Sequence, residues 1–210
     1  MKSILKYLLL AVFNISPLVA VFPDAIGENG AVTSSSKHAS QIGIDVLKNG
    51  GNAIDAAIAV GFALSVTFPN AGNLGGGGFM VIRTSSGEVK TIDFREVAPQ
   101  NASRDMYLDE NGDVISGMSL YTAHASGVPG TVAGFEYAHK RFGTKSWNYL
   151  LRPSIQLATN GFDLSFRDAM YLNASRPSFL RDEESAKIFA AQDNYSVGDL
   201  FIQKDLAKTL

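Results

Sequence analysis

The residues best suited to chemistry lie in the run Asp93-Phe94-Arg95-Glu96. An arginine guanidinium carries a permanent positive charge on a planar fork of N–H donors. That fork can give two parallel hydrogen bonds to one carboxylate, so Arg95 is a candidate for holding an anionic group of a substrate. If the run is a strand, alternation puts Asp93 and Arg95 on one face and Ile92 and Phe94 on the other. Spacing alone then favours a plainer reading, a surface ion pair between Asp93 and Arg95, because most charged strand residues merely face water.

Other chemistry is excluded by composition. The 210 residues contain no cysteine, which removes disulfides, thiolate zinc sites and a cysteine nucleophile. Three scattered histidines, His38, His124 and His139, make a histidine metal site improbable. A net charge of -2 without a long basic run argues against a nucleic-acid partner. Gly75 to Gly78 invite comparison with a phosphate-binding loop. Such a loop follows a strand and opens a helix, whereas these glycines precede the apolar run from Phe79. They are expected to serve a close backbone crossing beside the site. Asn101, Asn173 and Asn194 begin Asn-x-Ser triplets, which are common by chance.

The elements that must position Arg95 follow from periodicity. Ala39, Ile42, Val46 and Leu47 have helical spacing, closed by Gly50-Gly51. Asn52, with Asp55 three residues on, offers a cap for a second helix to about Val66. That helix is apolar nearly all round and is expected to be buried. Phe79–Arg83 and Val89–Phe94 read as strands joined by a hairpin at Ser85-Ser86-Gly87-Glu88, and Asn111-Gly112 as another turn. Helices are expected over Thr131–Phe142, over Pro153–Asn160 with Pro153 at its first position, over Arg167–Ser175, and from about Gln203. No repeat, low-complexity tract or interdomain linker divides the chain.

The first twenty residues stand apart. Lys2 and Lys6 precede an apolar stretch from Tyr7 to Phe13, and Leu18-Val19-Ala20 end in a small residue. This is the layout of a secretory signal peptide cut after Ala20. The stretch is well short of the ~20 residues a membrane span requires. A periplasmic or secreted product, residues 21–210, is expected.

Three blocks together resemble the γ-glutamyltransferase (glutathione hydrolase) family. They are Asn49-Gly50-Gly51-Asn52-Ala53-Ile54-Asp55-Ala56-Ala57; Pro69 through Phe79 continuing to Asp93-Phe94-Arg95-Glu96 and Ala98-Pro99; and Ala125-Ser126-Gly127-Val128-Pro129-Gly130-Thr131-Val132-Ala133-Gly134. The likeness covers essentially the whole chain after the leader. It implies an α/β fold, the αββα sandwich of N-terminal-nucleophile hydrolases, here incomplete at its C-terminal side. It also implies a precursor that cuts itself into two subunits. The new N-terminal Thr of the small subunit then attacks the γ-glutamyl amide of glutathione, and water or an acceptor amine takes the γ-glutamyl group. By the same resemblance Arg95 holds the α-carboxylate of that group, which reverses the preference for a surface ion pair, and no metal or organic cofactor is needed.

The resemblance places the nucleophile beyond residue 210, so no catalytic residue is assigned within the chain. Thr122-Ala123-His124-Ala125-Ser126 imitates the family's Thr-Thr-His-x-Ser processing site, but Ala123 replaces the second Thr and the run overlaps the third block. Residues 1–210 alone are therefore expected to be inactive, to leave strand edges and apolar faces uncovered, and to need the small-subunit segment as a partner. Two alternatives stand beside this reading: an exported, non-catalytic remnant or binding domain, and part of a related amidohydrolase such as a cephalosporin-type acylase.

Overall fold

A computed structural model describes residues 26–210; the leader expected over residues 1–20 lies outside the described residues. The elements below fall within the compact unit Val32–Leu210. In chain order they are helices α1 (Lys37–Lys48) and α2 (Ala53–Thr67), strands β1 (Phe79–Arg83) and β2 (Val89–Asp93), helix α3 (Met118–Tyr121) and a 3-10 turn (Ala123–Ala125). Helices α4 (Thr131–Phe142) and α5 (Trp147–Asn160), strand β3 (Phe162–Asp163), helices α6 (Phe166–Phe179) and α7 (Glu183–Phe189), strand β4 (Leu200–Phe201) and helix α8 (Lys204–Thr209) follow. The class is mixed α/β, as expected.

Helix α2 is the centre of this unit. Its cap is the reciprocal box that the sequence announces: Asn52 Oδ1 accepts from the N–H groups of Ile54 and Asp55, and Asp55 Oδ2 accepts from the N–H of Asn52, all at 2.9 Å. From Asp55 to Thr67 only Ala57 is exposed. The helix packs against α1, α4 and α5. One core joins Ile58 and Phe62 of α2 to Ile82 and Ile92 of the hairpin, Phe135 of α4 and Leu150 of α5. A second surrounds Val66, Ala158, Phe162, Leu164, Leu172 and Phe201.

Strands β1 and β2 pair antiparallel, with Phe79 opposite Asp93 and Arg83 opposite Val89. Gly87, at φ +87°, supplies the left-handed residue of the turn. Alternation directs Met80, Ile82 and Ile92 to the core and leaves Phe79, Val81 and Val89 exposed. Strands β3 and β4 form a second, two-residue pair. Gln203 ties the last helix down: its side-chain amide donates to Val66 O at 2.7 Å and its N–H to Ala158 O at 2.9 Å.

Two helices differ from expectation. Helix α5 starts at Trp147, not at Pro153; Ser146 caps it by accepting the Tyr149 N–H, and Pro153 lies inside it. An interior proline forgoes one helical bond at a cost of about 3 kcal/mol. Burial of Leu150, Leu151 and Ala158 on the face toward α2 offsets it. Helix α6 starts at Phe166 with a Ser165–Asp168 capping box and runs through Pro177 to Phe179, four residues past the expected end.

Among the described residues no helix is long and apolar enough to cross a membrane.

Candidate functional site

Arg95 sits just past the end of β2, where the chain bends. Asp93 does not pair with its guanidinium. Instead Asp93 Oδ1 accepts the backbone N–H of Arg95 at 3.0 Å, a side-chain turn of the kind aspartate favours. Strand alternation therefore stops at Asp93, and this turn stands in place of the Asp93–Arg95 surface pair that spacing alone favoured. The Arg95 side chain is two-thirds exposed. Its Nε lies 3.8 Å from a carboxylate oxygen of Glu96, and its guanidinium carbon is 5.9 Å from the centre of the Phe79 ring. An exposed pair at that distance contributes little, which leaves the fork open to another anion.

While the side chain is free, the backbone beneath it is tightly held. On one flank, Phe94 exchanges backbone hydrogen bonds with Gly78, and Gly77 presses on the peptide that follows. A Cβ added to Gly77 would come within 2.6 Å of Phe94 O and 2.7 Å of Arg95 Cα. The opposite flank is the third block. A Cβ on Gly130 would overlap Phe94 O, and one on Gly134 would overlap the Phe94 ring. Val97 and Val128 bond reciprocally at 3.2 and 2.8 Å. Only backbones without side chains approach this closely, which accounts for glycine at these positions. Gly75, by contrast, borders open space: a Cβ there would meet nothing within 4 Å.

Aromatic contacts carry this positioning into the core. The Phe94 ring meets Phe135 at 5.8 Å, Phe135 meets Phe62 at 5.2 Å, and Phe62 meets Trp147 at 5.4 Å, each edge to face. Gly61 makes room for the Phe135 ring on α2.

Two polar links were not singled out by sequence reasoning. Asn73 Oδ1 accepts from the Gly76 N–H at 2.9 Å and from the Thr131 hydroxyl at 2.6 Å, and Gly76 O accepts from the N–H groups of Gly130 and Thr131 at 2.8 and 3.1 Å. The second link is at Asp55, which has no exposed surface. Besides the Asn52 N–H, its carboxylate accepts the Thr144 N–H at 2.9 Å, the Thr144 hydroxyl at 2.5 Å and the Lys145 N–H at 3.2 Å. Burial pushes this carboxyl up, but the bonds from Thr144, Asn52 and Lys145 outweigh it and hold the group below the ordinary aspartate value. The side-chain amide of Asn52 adds a bond to Phe142 O at 2.6 Å, so the first block fastens the end of α4. Asn73 and Thr131 are 58 residues apart and Asp55 and Thr144 are 89, so no local signal matches either pair.

The processing-site look-alike has a structural use. Thr122 donates its hydroxyl to Met118 O at 2.6 Å and accepts the His124 N–H at 3.3 Å, capping the 3-10 turn. Among the described residues no group of three or more His, Asp or Glu side chains could hold a metal ion.

Comparison with known proteins agrees with the geometry. The family model described as gamma-glutamyltranspeptidase matches residues 39–210, a span containing all three blocks and Arg95. The chain is 49% identical over 185 residues to a glutathione hydrolase proenzyme of Pseudomonas sp. (strain A14), a match covering 87% of this chain and 32% of the relative. It is 45% identical over 192 residues to that of Escherichia coli (strain K12), covering 90% and 33%. The crystal structure of Helicobacter pylori gamma-glutamyltranspeptidase superposes with a TM-score of 0.85 at 49% identity, over 89% of this chain and 54% of that one. The chain thus spans about a third of the length of the curated relatives it matches. With the family model matched over residues 39–210, relatives 45–49% identical along most of its length and a fold matching a solved member, the chain belongs to the γ-glutamyltranspeptidase family.

Proposed function

We propose that residues 21–210 supply the carboxylate-holding part of an enzyme that transfers the γ-glutamyl group of glutathione, or of a related γ-glutamyl compound, to water or an amine. The observation that carries this reading is Arg95: an open, exposed guanidinium on a backbone clamped between two glycine-bearing blocks. A clamped base and a free fork suit an arginine that must meet a carboxylate at a fixed place. The attacking Thr and the remaining wall of the site belong, on this proposal, to the partner segment of the full-length enzyme.

The expected selectivity follows. γ-Glutamyl-p-nitroanilide carries the α-carboxylate, and 4-aminobutyryl-p-nitroanilide has the same scissile amide without it. Full-length enzyme carrying residues 1–210 should prefer the first by at least about 30-fold in kcat/KM, because an unpaired partner of a desolvated charge pair typically costs about 2 kcal/mol or more. Equal turnover of the two would remove the carboxylate-binding reading.

Export is part of the same proposal. The lysines at positions 2 and 6, the short apolar stretch and the small residue Ala20 support cleavage after Ala20 and release into the periplasm or medium. N-terminal sequencing of the exported protein should begin at Val21. A cytoplasmic product retaining Met1 would refute it.

A further inference from the structure

We infer that Asn73 and Thr131 are positioning residues for Arg95: their hydrogen bond locks together the two backbone segments that hold the arginine. The inference rests on the carboxylate-binding role proposed for Arg95. Thr131 is 4% exposed, and its hydroxyl donates to Asn73 Oδ1 across 58 residues of sequence. The same oxygen accepts the Gly76 N–H, and Gly76 O accepts the N–H of Thr131. The three residues therefore form a closed ring of hydrogen bonds between the glycine loop and the first turn of α4.

Residues next to the ring lie against the backbone of Arg95. Gly77, next to Gly76, lies against Arg95 Cα; Gly130, next to Thr131, lies against the carbonyl oxygens of Phe94 and Arg95. Neither flank can shift without moving the arginine's main chain. The guanidinium stands at the end of a long side chain, so a small tilt at Cα becomes a larger displacement at the fork, and bidentate pairing tolerates displacement poorly. The two side chains need not touch the substrate to set its affinity.

The test uses full-length enzyme carrying residues 1–210, with the two p-nitroanilides as substrates. Thr131→Val keeps the shape and removes the donor. It should raise KM for γ-glutamyl-p-nitroanilide about tenfold, with kcat changed by less than about twofold, the pattern of lost uniform binding. Turnover of 4-aminobutyryl-p-nitroanilide, which offers Arg95 no carboxylate, should be unchanged. Thr131→Ser restores the hydroxyl and should behave like the parent. Equal slowing of both substrates by Thr131→Val, or failure of Thr131→Ser to rescue, would overturn the inference while leaving the role of Arg95 intact. A parent enzyme that does not discriminate between the substrates would instead overturn the reading beneath it. If Thr131→Val does not fold, Asn73→Ser, which removes the shared acceptor, is measured the same way. Failure of both to fold would show a purely structural link and overturn the inference.

Discussion

Full-length enzyme carrying Arg95→Lys should show a KM for γ-glutamyl-p-nitroanilide raised roughly 30-fold or more, with an unchanged melting temperature. Lysine keeps the charge but replaces a planar, two-pronged donor with a point charge. Truncating one member of a desolvated, hydrogen-bonded charge pair costs about 2–5 kcal/mol, which corresponds to roughly 30- to several-thousand-fold. The α-carboxylate lies several bonds from the reacting amide, so its contact forms in the ground state and the transition state alike. Loss of such a contact appears in KM more than in kcat. Stability should hardly respond. Arg95 makes only a 3.8 Å exposed contact with Glu96 and a distant one with the Phe79 ring, and its fixed neighbour is its own main chain. Steady-state kinetics beside a melting curve decide the matter. Near-parental kcat/KM would end the assignment, and so would a large fall in melting temperature accounting for lost activity.

The opposite profile is expected at Asp55. Asp55→Asn should destabilise the chain by at least about 3 kcal/mol, since an amide cannot accept from all the donors that surround this site and turns its own N–H₂ toward some of them. For a chain of this size that is roughly 6–12 °C in melting temperature. The effect carries a pH signature. Asp55 has its pKa lowered in the folded protein, so its contribution is fully present above the unfolded aspartate value of about 3.9 and is lost as the pH falls through the lower folded value. The stability gap between parent and variant should be constant near neutrality and should close only in that acid window. A gap that closes already between pH 5 and 7 would mean that another group is responsible.

How much of this was written in the sequence depends on the range of the interaction. Asn52 and Asp55 cap α2 as their three-residue spacing implies, and Gly143 ends α4 where expected. The hairpin and its turn at Gly87 were equally local. Pro153 misled because proline is at home in a first turn, but Ser146 followed by Trp147, Leu150 and Leu151 was the stronger signal. Ser165 and Asp168 had the spacing of a capping box and fixed α6 one residue earlier than expected. Strands β3 and β4, two residues each, show no readable alternation; only the burial of Phe162 and Phe201 against each other marks them. At the candidate site, the motif nominated Arg95, whose role is the proposal that the kinetics above test. The turn made by Asp93 was not legible, because an aspartate beside a strand end can serve an ion pair or a main-chain N–H equally well. Nor could Asn73 be matched with Thr131, or Asp55 with Thr144, since nothing in either run names a partner so far along the chain.

The link from Asp55 to Thr144 spans 89 residues, and β1, β2, Arg95, Asn73 and Thr131 all lie between its ends. Closing a loop of that length costs an unfolded chain about 4 kcal/mol in entropy before any contact within it compensates. The hairpin closes locally and does not bear that cost, whereas docking the start of α2 onto the segment after α4 depends on a contact remote in sequence, which slows folding. In native-state hydrogen exchange the amides of Thr144 and Lys145 should open in the same cooperative step as Phe94 and Val97, so that the arginine's backbone is released only when the clamp is.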